Sequence, residues 1–393
     1  MEKLKHLDFF KRLLDEPKNE LIEKSLKENR IPIGYSCFYV PEPVLSMGKA
    51  FPVKLRAPWI TDTENATYYL SAMVCSYARS ILEASLDGHY DFLQGNVGTT
   101  SCIHSTRAAE HFDILKTHES NQNFFNIILD VPKTKAKTHL EEAFAAQLKS
   151  KVAPPLADNY GIDVSDASLR DAIRLHNRYT AIMTKISDLR KAEHPKITGT
   201  EFHVLFTATK IVPKDMLFDK LEATLEELGS REGIKDYRAR LMVTGSLMDN
   251  PEFTRLIEEQ GALVVADRYC SGSLPGLQPI KEEGDPYLNI AAHYLSISQC
   301  PRMMGCADSR KEYALEQIKE FAVDGVLFET VKFCELWSYE NLTFVPDMKE
   351  ARVPIVGIER EYNPSSKGQL RTRIQAFIES IEIKKLNSQL RGR

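Results

Sequence analysis

The sequence predicts an α/β protein: two doubly wound, Rossmann- or flavodoxin-like parallel-sheet domains joined by a helical connecting segment. Three observations carry that prediction. Short β-rich apolar runs (IPIGYS, ALVVAD, GVLFE, VPIVGIE) alternate with amphipathic segments of helix length, the pattern of a parallel sheet covered on both faces. The alternation occurs twice, in residues 31–135 and 236–393, after an N-terminal helical segment over 1–30 and on either side of a mainly helical stretch, 136–235. Finally, four cysteines follow an expected strand: Cys37 after IPIGYS, Cys102 after FLQGNVGTTS, Cys270 after ALVVADRY and Cys334 after GVLFETVKF. Ligands of open α/β sheets bind outside the carboxyl ends of the strands.

The elements follow in order. MEKLKHLDFFKRLLDEP reads as a charged amphipathic helix. Strand Ile31–Ser36 leads to a turn at Pro41-Glu42-Pro43, a short helix to Lys49 and strand Pro52–Leu55. Residues 66–86 have small and apolar residues at helical spacing, with Gly88 suited to the helix end. Phe92–Val97 and Phe124–Val131 read as strands. Residues 136–191 read as helical throughout, with Ser165 opening a capping pattern, and Phe202–Thr209 and Lys214–Leu228 continue the helical middle. From Arg238 the second alternation begins with strand RLMVTGS. Asn250 and Pro251 have the chemistry of a helix cap and first turn. A closing helix runs from about Gly368 to Lys385.

A chain of 393 residues is long enough for two or three domains and a large core, and its 43% hydrophobic and 27% charged residues are ordinary for a globular protein. The net charge of −4 gives no reason to expect nucleic acid or an anionic membrane as partner. No apolar run approaches the roughly 18 residues of a membrane span, and the opening helix lacks the apolar core of a signal peptide. A cytoplasmic protein is the expectation. In that compartment seven cysteines, an odd number, are free, catalytic or metal-bound more often than paired.

An isolated cysteine is usually a small buried hydrophobe; four at strand ends differ from chance placement. Thiolates gathered from distant parts of a chain suit an iron–sulfur cluster, and a cluster held by three cysteines keeps one iron open to a small ligand. Zinc ranks below it, because Cys300 and Cys306 are the only close pair and their spacing matches no common finger. His104 and His111, near Cys102, read as exposed or hydrogen-bonded core histidines. There is no GxGxxG after the first strand, no GxxxxGK[ST] and no GxSxG, which speaks against the common nucleotide sites and a serine hydrolase. Gly34, Gly95, Gly98, Gly245 and Gly272 fall near strand ends, where backbone turns sharply or approaches something closely. Residues 359–377 are unusually polar for a segment after a strand. Arg371 and Arg373 are expected to pair with Glu359 or Glu361.

The chain resembles the 2-hydroxyacyl-CoA dehydratase and benzoyl-CoA reductase subunit family (the 2-hydroxyglutaryl-CoA dehydratase D-component type). The resemblance lies in GYSCFYVPEPVLSMGKAFPVKL, in VCSYARSILEASLDGHYDFLQGNVGTTSC, in MVTGSLMDNPEFTRLIEEQGALVVADRYCSG, and most specifically in VKFCELWSYE followed by VPIVGIEREYNPSSKGQLRTRIQAFIE. It implies a cytoplasmic heterodimer, or a homodimer, in which each protomer holds a 4Fe–4S cluster on three cysteines, here Cys75, Cys102 and Cys334. It implies an ATP-hydrolysing iron–sulfur activator that injects a low-potential electron, and an acyl-CoA or aryl-CoA substrate. The reaction expected first is that of an (R)-2-hydroxyacyl-CoA dehydratase, elimination of water through a ketyl radical, with reduction of an aromatic ring as the alternative. A third branch holds a double-cubane 8Fe–9S cluster and reduces small molecules, with Cys37 and Cys270 as its additional ligands. Outside the family, the alternative is a non-catalytic electron relay or scaffold. Where the family's first turn often reads Pro-x-Glu, this chain has Pro41-Glu42-Pro43. Ser36 and Glu42 are therefore only weak catalytic candidates, and the departure opens the alternative that this chain relays electrons to a partner that holds the open site.

Overall fold

The computed structural model describes residues 3–115, 117–118, 120–135, 137–273, 277–363 and 367–391. It contains two four-stranded, all-parallel sheets. The first is built from β1 (Ile31–Tyr35), β2 (Ala50–Lys54), β3 (Gly95–Thr99) and β4 (Phe125–Leu129), in the order β2-β1-β3-β4. The second is built from β5 (Ala239–Gly245), β6 (Ala262–Tyr269), β7 (Gly325–Val331) and β8 (Ile355–Arg360), in the order β6-β5-β7-β8. Each half thus runs outward from its first strand, then reverses past it. The reversal leaves a crevice at the carboxyl ends of β1 and β3 in one sheet, and of β5 and β7 in the other. Strands β5, β6 and β7 are buried along their whole length, as a sheet covered on both faces requires.

The α/β class and the two parallel sheets are as expected, while several elements differ in detail. Residues 66–86 are not one helix. Glu64–Leu70 and Ser76–Leu86 are separated by a turn in which Ser71 has φ of 68°. The Glu83 carboxylate accepts from the Ala66 N–H and the Asn65 side chain, each at 2.7 Å. It caps the first helix from the second and folds the two into a hairpin. The helical stretch 136–191 is broken after Gly161, which is left-handed at the end of Ala153–Tyr160. A new helix, Asp166–Asp188, starts on Ser165, whose side chain caps it. Residue 136 itself lies outside the described residues. The short helix before Lys49 is a single 3₁₀ turn, Val44–Ser46. Strand β3 begins at Gly95 rather than Phe92, because residues 88–93 turn on themselves and Gly95 supplies the gap in which the Phe125 ring lies. Asn250 and Pro251 cap and open the helix Pro251–Glu258 as expected. Arg371 pairs with Glu259 at 3.0 Å and Arg373 donates to the Gly357 carbonyl, instead of reaching Glu359 or Glu361. The buried tie in that region is Arg360 to Glu329, at 3.0 Å.

One segment crosses between the halves. Residues 280–306 lie in the second alternation by sequence. Their side chains Tyr287, Ile290, Tyr294, Leu295, Cys300, Met303 and Cys306 nevertheless pack in one core with Ile33, Tyr35, Val97 and Leu129 of the first sheet.

Gly245 ends β5 with φ of 145°, and a Cβ there would lie 1.8 Å from the Glu329 carbonyl oxygen. The Gly245→Ala variant is therefore expected to lose about 3 kcal/mol or more, from strain and clash together. An unchanged urea midpoint would show that β7 yields instead.

Candidate metal centre

Six of the seven cysteines line one cavity, with about 70 Å³ open to the centres of water molecules: Cys37, Cys75, Cys102, Cys270, Cys300 and Cys334. It lies where the carboxyl ends of the two sheets face each other, and its other walls include Phe38, Tyr77, Leu247, Val331, Leu336 and Trp337. By sequence, three thiols come from each half, although Cys300 packs with the core of the first sheet. Cys37 follows β1, and Cys102 follows β3 by three residues. Cys334 follows β7 by the same three residues, and Cys270 follows β6 directly.

Three of these cysteines precede helices. Cys75 stands before Ser76–Leu86, Cys102 before Ile103–Ile114 and Cys334 before Glu335–Glu350. The free amides of a helix N-terminus favour negative charge on such a sulfur. The turn at Ser71 brings Cys75 to this position, since inside a continuous helix it would have no free amides to face. His104 Nδ1 accepts from the Cys75 N–H at 3.2 Å, which accounts for that histidine as a structural group. His111 Nδ1 lies against the Arg107 carbonyl at 2.7 Å.

Cys300 escaped the sequence reasoning because no strand precedes it. It reaches the cavity on the crossing segment, held from outside. Arg268 donates to the Gln299 carbonyl at 3.1 Å, Tyr39 to the Ile297 carbonyl at 2.6 Å and Arg302 to the Pro132 carbonyl at 3.0 Å. Trp337, which lies in VKFCELWSYE but was not singled out there, donates its indole N–H to Cys270 Sγ at 2.9 Å. Cys306 is buried away from the cavity, near the Met304 carbonyl.

Burial dominates the electrostatics of the thiols. It pushes Cys75 and Cys300 up to about 12 and raises Cys102 as well, while Cys270 and Cys334 lie well above the ordinary thiol range. Neighbouring sulfurs add to the rise: Cys102 acts on Cys75 and Cys334, and Cys300 and Cys334 act on Cys270. Thiols raised in this way stay protonated on their own, and their ionisation would require a cationic centre among them. Among the described residues, no three His, Cys, Asp or Glu side chains group tightly enough for a single metal ion. A cluster of several irons spaces its thiolates more widely than one ion does, so an all-sulfur donor set on an apolar cavity fits iron–sulfur better than zinc.

The two weak catalytic candidates part company. Ser36 lines the cysteine cavity, and its carbonyl accepts from Lys54 Nζ. Glu42 is absent from that wall. It is a buried hub accepting from Tyr35 Oη at 2.6 Å, Lys210 Nζ at 2.9 Å and Lys214 Nζ at 2.6 Å. Burial opposes its ionisation, but Lys210 and Lys214 outweigh burial and hold the carboxyl well below the usual range.

Fold and site together define a two-domain α/β protein with a cysteine-lined cleft between its sheets. The chain belongs to the 2-hydroxyglutaryl-CoA dehydratase, D-component family, whose model matches residues 37–381. It is 25% identical over 379 residues to the (R)-phenyllactyl-CoA dehydratase beta subunit of Clostridium sporogenes, covering 96% of this chain and 99% of that protein. It is 22% identical to a benzoyl-CoA reductase subunit of Thauera aromatica, over 92% of this chain and 93% of that one. It is also 22% identical to the (R)-2-hydroxyglutaryl-CoA dehydratase, subunit beta, of Acidaminococcus fermentans, over 95% and 98%. Among the described residues, no helix is long and apolar enough to cross a membrane.

Proposed function

We propose that this chain is the iron–sulfur subunit of an ATP-activated, low-potential enzyme, and that all six cavity cysteines hold its centre as a double-cubane 8Fe–9S cluster. The supporting observation is the gathering of six thiols, three from each half by sequence, on one shielded cavity. Bound there, such a cluster supplies electrons at low potential, tuned by hydrogen bonds to its sulfurs and by burial. The protein's part follows from its own residues. Helix N-termini favour thiolate at Cys75, Cys102 and Cys334, Trp337 directs an N–H at Cys270, and Phe38, Leu247, Val331 and Leu336 keep water out. A homologous second subunit and an ATP-hydrolysing iron–sulfur activator are the proposed partners. Exposed Met73, Ile103 and Tyr339 flank three of the cysteines and provide an apolar surface for such contacts.

A second reading keeps one 4Fe–4S cluster on Cys75, Cys102 and Cys334 and a CoA thioester as substrate. The similarity to (R)-phenyllactyl-CoA dehydratase and benzoyl-CoA reductase subunits favours it. Iron analysis of anaerobically purified protein separates the two readings: about eight irons per chain for the first, about four for the second. Under the first, Cys300→Ser and Cys37→Ser each lose iron and Cys306→Ser keeps it. Full iron in the Cys37 and Cys300 variants, with loss confined to Cys75, Cys102 and Cys334, establishes the second. Incubation with a 2-hydroxyacyl-CoA and an aryl-CoA then shows whether either thioester is turned over.

A further inference from the structure

A second cavity adjoins the first and shares Phe38 and Cys270 with it. None of its sixteen lining residues is exposed. The space open to the centres of water molecules is about 50 Å³, room for about four waters. A CoA thioester is far too large for it, whereas a molecule of a few heavy atoms fits.

Its walls carry an excess of positive charge. Lys54, Arg56 and Lys210 line it, and Lys214 stands behind Lys210 on Glu42. Against these four cations are two carboxylates. Glu42 is already engaged by both Lys210 and Lys214. Asp249 accepts from Tyr362 Oη at 2.9 Å, and burial raises its pKa despite the attraction of Arg56. Arg56 is turned to the backbone carbonyls of Leu14 and Asp249. Lys54 is buried, donates to the Ser36 carbonyl, and has no carboxylate within 4.0 Å among the described residues. A buried ammonium without a counter-charge is costly. On another wall stands His176, only 4% exposed, with neither ring nitrogen hydrogen-bonded. Buried polar atoms left this way call for a partner that the chain itself does not supply.

We propose that this chamber binds a small monovalent oxyanion of carboxylate size, which answers the charge of Lys54 and takes the N–H of His176. Its use as an antechamber, delivering a small substrate beside Cys270, rests on the reading of the six cysteines as a redox centre; the binding itself does not.

Equilibrium dialysis of the anaerobically purified, iron-loaded protein against radiolabelled formate tests it. The expected result is one formate per chain, weakened about tenfold or more in Lys54→Met and in His176→Phe, with the iron content of both unchanged. Formate held by iron would give the opposite pattern, lost in Cys300→Ser together with iron and retained in His176→Phe, and would overturn the proposal. A Lys54 that serves only as counter-charge to the cysteine centre would leave formate affinity unchanged in Lys54→Met, and that result would overturn the proposal as well. Crystals of the unaltered protein soaked in formate decide without any variant: formate density against His176 supports the site, and a chamber free of it overturns the site. Iron content is read separately throughout, so failure of the redox reading and failure of the anion site remain distinguishable.

Discussion

Glu340→Ala will destabilise the second half of the protein by about 3–5 kcal/mol and, with the proposed cluster bound, strip iron from it without touching a cysteine. Glu340 is buried on the helix Glu335–Glu350 and is shared by two arginines. Arg310 approaches it with Nε and Nη at 2.9–3.0 Å, and Arg268, fully buried, donates at 3.1 Å. The net worth of such a triad against apolar residues is small. Removing only the shared carboxylate is different, because it leaves two guanidinium groups buried without an anion. The same arginines hold the approach to Cys300, Arg268 through the Gln299 carbonyl and Arg310 through the Met303 carbonyl. Anaerobic urea titration followed by circular dichroism measures the stability loss, and iron analysis measures the second effect. A loss below about 1 kcal/mol with full iron would mean that water reaches the arginines and that Cys300 is held by other contacts.

Glu42→Gln carries the other large effect. The wild-type carboxylate neutralises Lys210 and Lys214 at once, and Lys214 is itself buried. The amide leaves both ammonium groups without an anion, and a loss of about 3 kcal/mol at neutral pH is expected. The sign with pH follows from the direction of the shift. Glu42 ionises far more readily in the folded chain than at the usual glutamate value of 4.5. Its contribution is thus fully present above that value and fades as pH falls toward the folded pKa. The gap between wild type and variant should narrow on acidification below 4.5, as followed by urea midpoints across pH. A gap that widened would show that the carboxyl is protonated in the native state.

Much of this was legible in the chain because parallel sheets announce themselves. The β-rich runs, the glycines beside them and the cysteines just past β1, β3, β6 and β7 are local signals, and all four cysteines reach one cavity. What escaped was decided by contacts distant in sequence. The helical spacing of residues 66–86 is genuine, but the chain turns at Ser71 and a new helix starts after Cys75, while Glu83 reaches back to Asn65 and Ala66 and ties the two helices together. Cys300 sits beside Pro301 after a helix, and Arg268, Arg302, Arg310 and Tyr39 place it. No local signal marks His176, which lies on the helix Asp166–Asp188. Its significance comes from a void and from lysines supplied by other elements.

The cavity takes cysteines from the strand ends of both sheets, Cys37 and Cys102 from one and Cys270 and Cys334 from the other, and this has a mechanical consequence. The proposed cluster, gripped by both halves, would also be a rivet between them, adding cohesion that the apolar cores need not provide. Exposure to oxygen would then do more than silence electron transfer. It would unpin the halves, so that loss of colour in air should be accompanied by faster proteolytic cutting.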